Sequence, residues 1–277
     1  MMTMTQKPQM NPTRIEIQTA DVELIRLLAE HLVLLTRSQI CELYPTRSVR
    51  RTNFRLRQLF KAGYLSRRYP SGMLMPKIPL YYPGPKAAEA LNRQHDDPQV
   101  LASRKRALLL RDGAIPHTLL VNAVHIKFLT ASLQYKDFEL LSWISQHDPL
   151  WNTLNRYGFP LRPDGYGEFR KEPVIIRFFL ELDRSAQRGR ALHEKLDGYA
   201  QYARSGRFQQ HFSASGFRVL FVPQNPRRAR QLLRAMSKFA SDLFWVAPAD
   251  TFLQKPLFHP YWHTPSSDTL SALDLPF

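Results

Sequence analysis

The sequence predicts an α+β protein in two parts: a helical N-terminal module closed by a β-hairpin, and a larger mixed α/β domain after it. Three observations carry this. Three segments of helical period precede two strand-like runs, the order of a winged helix-turn-helix. A polar stretch ending in proline, Asn92–Pro98, reads as a boundary. Beyond it, strand-like runs alternate with helices. The strongest is the nearly unbroken apolar run Val174–Leu180, as in a central strand covered on both faces.

The first helix is expected over Asp21–Leu32, with Asp21 as N-cap, and the second over Thr36–Leu43, with Thr36 as N-cap and Ile40 and Leu43 turned inward. The third is the most informative. On a helical projection Val49, Leu56, Leu59 and Phe60 fall on one side and Arg47, Arg50, Arg51, Arg55, Arg57 and Lys61 on the other, with Phe54 among the arginines. Gly63 ends it. Tyr64–Tyr69 and Leu80–Tyr82 read as a hairpin, with a turn at Pro70-Ser71-Gly72.

The chain has 277 residues, 39 Lys+Arg against 23 Asp+Glu, and a net charge of +16. At 44% hydrophobic and 12% aromatic it is too apolar for a disordered basic tail. A single cysteine, Cys41, excludes internal disulfides and multi-cysteine zinc sites. No apolar run approaches membrane-spanning length, so no membrane partner and a cytoplasmic location are expected. Up to Asp112 there are 19 basic and 9 acidic residues, so the excess lies mainly in the first part of the chain. Arg47–Arg68 holds eight basic residues and no acid: Arg47, Arg50, Arg51, Arg55, Arg57, Lys61, Arg67 and Arg68. Cations spread around half a helix suit phosphates better than one base pattern, so double-stranded DNA is the expected partner and this set the expected contact. A protein-binding winged helix is the alternative.

The domains expected are a flexible N-terminus over 1–20, the winged module over 21–95, a linker over 96–112, the α/β domain over 113–254 and a surface-draped tail over 255–277. In the second part, helices fit His117–Leu133, Gly189–Arg204 and Pro226–Ser241. Strands fit Phe159–Arg162, Val174–Leu182, Phe217–Val222 and Phe244–Val246, and Phe138–Ile144 is a strand or short helix.

Three acids stand out by position. Asp164 follows the Phe159–Arg162 run, and Glu181 and Asp183 close the apolar strand. Residues two apart on a strand share a face. If the two strands pair, Asp164 joins them, and three carboxylates together need a cation; oxygen ligands suit Mg²⁺ or Mn²⁺. Lys195, early in the next helix with Tyr199 and Tyr202 on its side, reaches back toward them. This set fits metal-assisted phosphodiester hydrolysis. The alternative is that Glu181 and Asp183 simply pair with Arg162, Arg184 or Arg188. His259 and His263 are separated by Pro260 and read as surface or packing residues.

With these residues placed, the chain resembles the replication-relaxation family of plasmid proteins, which includes the MOBC class of conjugative relaxases. The resemblance rests on Arg162-Pro163-Asp164-Gly165, Phe178-Phe179-Leu180-Glu181-Leu182-Asp183-Arg184, Lys195-Leu196 and Tyr199 after a winged helix, with His117 and Leu119-Leu120-Val121-Asn122 matching the first helix of the second domain. It implies a restriction-endonuclease-like α/β domain of the PD-(D/E)XK kind, with Asp164 and Glu181 as its two acids. Asp183 stands where lysine is usual, leaving Lys195 to supply the cation. The implied function is binding of plasmid origin DNA and its nicking or relaxation during mobilization or replication, beside other mobilization or replication proteins. The alternative is a non-catalytic initiator or regulator that keeps the fold.

Overall fold

In the computed structural model, Gln18 rather than Asp21 caps the first helix, α1 (Thr19–Leu27). Asp21 sits three residues in, its carboxylate accepting from the Gln18 amide at 2.8 Å. Its carboxylate also pairs with Arg55. A π-helical turn, Leu28–Leu32, extends α1 to the expected end.

The structure describes residues 5–6, 15–71, 78–156, 159, 161–183, 189–239 and 242–274. Gly72, Arg184, Arg188 and Ser241 of the sequence reading lie outside these. The chain divides into two units, 1–126 and 127–277.

In the first unit β1 (Thr5–Gln6) pairs antiparallel with β3 (Leu65–Arg68), and β2 (Leu35–Thr36) leads into α2 (Arg37–Leu43). Thr36 caps α2 in a reciprocal capping box with Gln39. Ser48 caps α3 (Val49–Lys61). At its end Gly63 takes φ +87°, and the Gly63 and Tyr64 amides return to the Phe60 and Leu59 carbonyls at 3.1 and 3.0 Å. A side chain at Gly63 would resist that left-handed turn. β4 (Leu80–Pro83) completes an antiparallel sheet of order β1-β3-β4-β2. Leu24, Ile25, Leu28, Leu56, Leu59 and Leu65 form its core. Val49 departs from the expected inward face: at the first turn of α3 it is 54% exposed, beyond the reach of that core.

After α4 (Ala87–Ala90) comes the segment 96–112, expected as a linker. It is largely helix, α5 (Pro98–Leu109), capped by Asp97. Val100 is buried in the first unit's core, and Ser103 Oγ donates to the Leu28 carbonyl at 2.7 Å. Of its basic residues Lys105 is exposed and Arg104 and Arg106 are half-buried. α6 (Ile115–Ala131) follows and spans the division between the units.

The second unit is a seven-stranded sheet, β11-β10-β9-β8-β7-β6-β5. β5 (Phe138–Ser145), α7 (Leu150–Arg156), β6 (Gly165–Lys171) and β7 (Val174–Asp183) come first, the three strands antiparallel. α8 (Arg190–Arg204) and α9 (Arg207–Phe212) lead to β8 (Arg218–Pro223), parallel to β7. α10 (Pro226–Met236) leads to β9 (Phe244–Val246), again parallel. Phe178, Phe179, Leu180 and Leu220 are fully buried, so β7 and β8 form the covered centre.

Two expectations fail here. The strand is Gly165–Lys171 and not Phe159–Arg162. Phe159 and Leu161 are core plugs: the Phe159 ring stacks on Trp151 and Phe179, and Pro163 has no N–H to give a ladder. Two glycines disguised the real strand. A Cβ on Gly167 would come within 2.3 Å of the Phe178 ring opposite it. Nor do residues 255–274 drape over the surface. After α11 (Ala249–Gln254) they add β10 (Trp262–Thr264) and β11 (Ser267–Ser271) to the sheet edge, with Leu257, Trp262 and Leu273 buried.

Among the described residues no helix is long and apolar enough to cross a membrane.

Candidate functional site

β7 is apolar except for Arg177 as far as Leu180, and the acids Glu181 and Asp183 then mark the site. Glu181 follows Leu180 and is 3% exposed. Its two oxygens are both engaged from α8: Lys195 Nζ donates to Oε2 at 2.5 Å and the Tyr199 hydroxyl to Oε1 at 2.6 Å. Positions 195 and 199 are one helical turn apart, so both side chains reach the same carboxylate. Tyr202, expected on the same side, instead meets His211 Nδ1 at 2.9 Å.

Asp164 reaches this place through the pairing of β6 with β7. Its amide donates to the Leu180 carbonyl at 2.9 Å, and its Oδ2 accepts from the Leu182 amide at 2.7 Å. Asp164 thus brackets Glu181 along the backbone of β7. Burial pushes the Glu181 carboxyl up to about 7; the nearby Asp164 charge adds to this, while Lys195 and Tyr199 oppose it. The Tyr199 hydroxyl is held well above its ordinary range by burial and by Glu181.

Asp183 shares the strand face but not the site. Arg228, at the first turn of α10, holds both its oxygens, at 2.8 Å from Nη2 and 3.2 Å from Nε. The expected trio is therefore a pair, Asp164 with Glu181. Among the described residues no group of three or more His, Cys, Asp or Glu side chains is placed to hold a metal ion. Two carboxylates still fit Mg²⁺, which commonly takes one or two and completes its shell with water and substrate phosphate. The Asp164 charge acts on Glu181 repulsively, which a cation would relieve. Arg162 is exposed, its Nη2 3.4 Å from Asn152 Oδ1.

The basic set of the first unit separates into two kinds. Arg50, Arg51, Arg57 and Lys61 are exposed on α3, and Phe54 stands among them at 61% exposure. Arg47 is half-buried beside the Tyr44 ring, and Arg67 lies over the Phe60 ring at 3.7 Å. Arg55 and Arg68 turn inward. Arg55 bridges to Asp21, Nε to Oδ1 at 3.1 Å. Arg68, 1% exposed, donates to the carbonyls of Ala107 and Leu110 and to Asp112. Both are fastenings of the first unit and leave the exposed set.

Sequence reasoning omitted Arg228 and did not count Tyr199 in the site. Tyr199 carried a signal in its one-turn spacing from Lys195. Arg228 carried only the Asn225-Pro226 helix start, whose cap places Arg228 in the first turn.

The sequence model of the replication-relaxation family matches residues 25–215. The chain belongs to the replication-relaxation family. In this replication-relaxation protein the match takes in α3, Asp164, Glu181, Asp183, Lys195 and Tyr199, and ends before α10. Comparisons with curated proteins and with solved structures give no significant match.

Proposed function

We propose that this replication-relaxation protein acts in plasmid replication or relaxation by binding origin DNA through its first unit and nicking one strand at Asp164, Glu181 and Lys195. The observation that carries this reading is the buried Glu181, held by Lys195 and Tyr199 beside Asp164 at the end of a central strand. The order β5-β6-β7, helix, β8, after a leading α6, supports a restriction-endonuclease-like, PD-(D/E)XK arrangement. The order helix, strand, helix, helix, hairpin in the first unit supports a winged helix with α3 presented to duplex DNA.

Asp164 and Glu181 would hold Mg²⁺ or Mn²⁺, which when bound polarises the phosphate and supplies a water of lowered pKa. Lys195 places its ammonium where charge develops on the phosphate oxygens. Tyr199, fully buried, fixes the Glu181 carboxylate; it is a positioning residue and not a nucleophile. Hydrolysis adds water across one P–O bond and leaves a hydroxyl end and a phosphate end.

A second reading, a DNA-binding initiator or regulator without nuclease activity, is favoured by one observation: Asp183 and both oxygens of Glu181 are already occupied by protein donors. Incubating supercoiled origin plasmid with Mg²⁺ or Mn²⁺ separates the two. Open-circular product with wild type and none with Glu181→Ala supports nicking. Nicking unchanged in that variant removes the site, and origin binding without nicking under either metal establishes the second reading.

A further inference from the structure

α10 carries a charge pattern that works against its own stability. Its sequence, Pro226-Arg227-Arg228-Ala229-Arg230-Gln231-Leu232-Leu233-Arg234-Ala235-Met236, contains no acid. Ala229, Leu232 and Met236 are buried against the sheet. Arg227, Arg230 and Arg234 are exposed, as is Lys238 just past the helix. At spacings of three, four and four residues these cations lie along one stripe, where like charges repel. Arg227 and Arg228 also occupy the first turn, where the helix dipole disfavours cations. Arg228 is compensated by Asp183. Among the described residues none of the other four has a carboxylate partner. An ordinary solvated helix looks different, and the same face of the sheet provides one: α8 pairs Arg190 with Glu194 and Gln201 with Asp197.

The stripe has a defined origin. β8 ends at Pro223, in register with Asp183, and α10 starts three residues later. Through Arg228 the first turn is fastened to Asp183, two residues from Glu181 on the same strand face. From there α10 runs back along the sheet, as the parallel step from β8 to β9 requires. Arg227 to Arg234 covers about 10 Å at 1.5 Å per residue, roughly three nucleotide steps along one strand of a duplex.

We propose that this stripe is a second phosphate-backbone contact, on the unit that carries Glu181, and that it holds the DNA strand leading to the site. The proposal rests on the reading of the protein as DNA-binding. It assigns Arg227, Arg230, Arg234 and Lys238 to sequence-independent contact, and Arg228 to positioning the helix. The apolar face of α10 is spent on the core, so a membrane surface would have only the charges to bind.

The test uses the full chain and an origin duplex, with affinity measured from 50 to 200 mM salt. The variant Arg227→Gln/Arg230→Gln/Arg234→Gln should lower the slope of log affinity against log salt by about 2.7, which is about a 40-fold smaller loss of affinity over that range. The matching Arg→Lys variant should keep the wild-type slope. Because the stripe repels itself, the Gln variant should melt no lower than wild type. An unchanged slope in the Gln variant, with wild type still bound, overturns the second contact and leaves DNA binding through α3 intact. No salt-dependent binding by wild type overturns the DNA reading and this proposal with it. An unchanged slope together with loss of binding to phosphatidylserine vesicles would assign the stripe to a membrane surface and overturn it as well.

Discussion

Arg228 holds Asp183 by both carboxylate oxygens, and the two side chains are only 6% and 8% exposed. Removing one member takes this ion pair away from a buried charge. Arg228→Ala should therefore cost about 3–5 kcal/mol, read as a lower denaturant midpoint. Asp183→Asn should also destabilise, yet leave any Mn²⁺-induced rise in melting temperature intact, whereas Asp164→Asn should abolish that rise. Loss of the Mn²⁺ effect in Asp183→Asn would return Asp183 to the metal set.

The buried Glu181 gives the fold a pH dependence of definite sign. In the unfolded chain its carboxyl titrates near 4.5, and in the folded protein at about 7. Between those values the folded state binds more protons, so this group's contribution falls as pH rises and levels off above 7. Measured in chelator, the stability of wild type minus that of Glu181→Gln should decrease by up to about 3 kcal/mol from pH 4.5 to 8. A difference that stays flat would show that burial does not govern this carboxyl.

The cations of the first unit should respond in two ways. Arg50→Gln/Arg51→Gln/Arg57→Gln, all exposed on α3, should flatten the salt dependence of DNA affinity by about three contacts' worth, near 2.7 in slope. Arg68→Gln should leave that slope unchanged and lower the melting temperature, because it strips donors from buried carbonyls and from Asp112. The reverse pattern would mean that α3 does not meet DNA.

Gly167→Ala tests the close approach that aligns β6 with β7. The added methyl meets the fully buried Phe178 ring, and overpacking of this kind costs about 1–3 kcal/mol. Since β6 also delivers Asp164, the variant should lose any nicking activity along with stability. A variant as stable as wild type would mean the ring has room to move.

How much was legible followed from whether a signal was local. Thr36 and Gly63 act on backbone within a few residues, and both stand where their chemistry puts them. Val174–Leu180 needed only its own composition to read as the central strand. Lys195 was found because a helix following an acid-tipped strand has few places to fold back. What was lost depended on distant partners. Arg68 and Arg55 look like any surface arginine until Asp112 and Asp21 are folded against them. Gly165 and Gly167 hide a strand because their reason is a ring on the neighbouring strand. Asp183 could be placed on the correct face, but nothing local indicated that an arginine 45 residues later would take it.

The C-terminal strands bear on how far this chain can be shortened. Arg218 of β8 is buried, lies 4.1 Å over the Trp245 ring and donates to the Leu273 carbonyl at 2.5 Å. A protein ending at Gln254 would lose that acceptor and leave β9 as an open edge, free to pair with another molecule. Residues 255–274 thus put the polar strand β11 at the edge where the apolar β9 would otherwise stand, and cutting the chain after Gln254 should first be seen as aggregation.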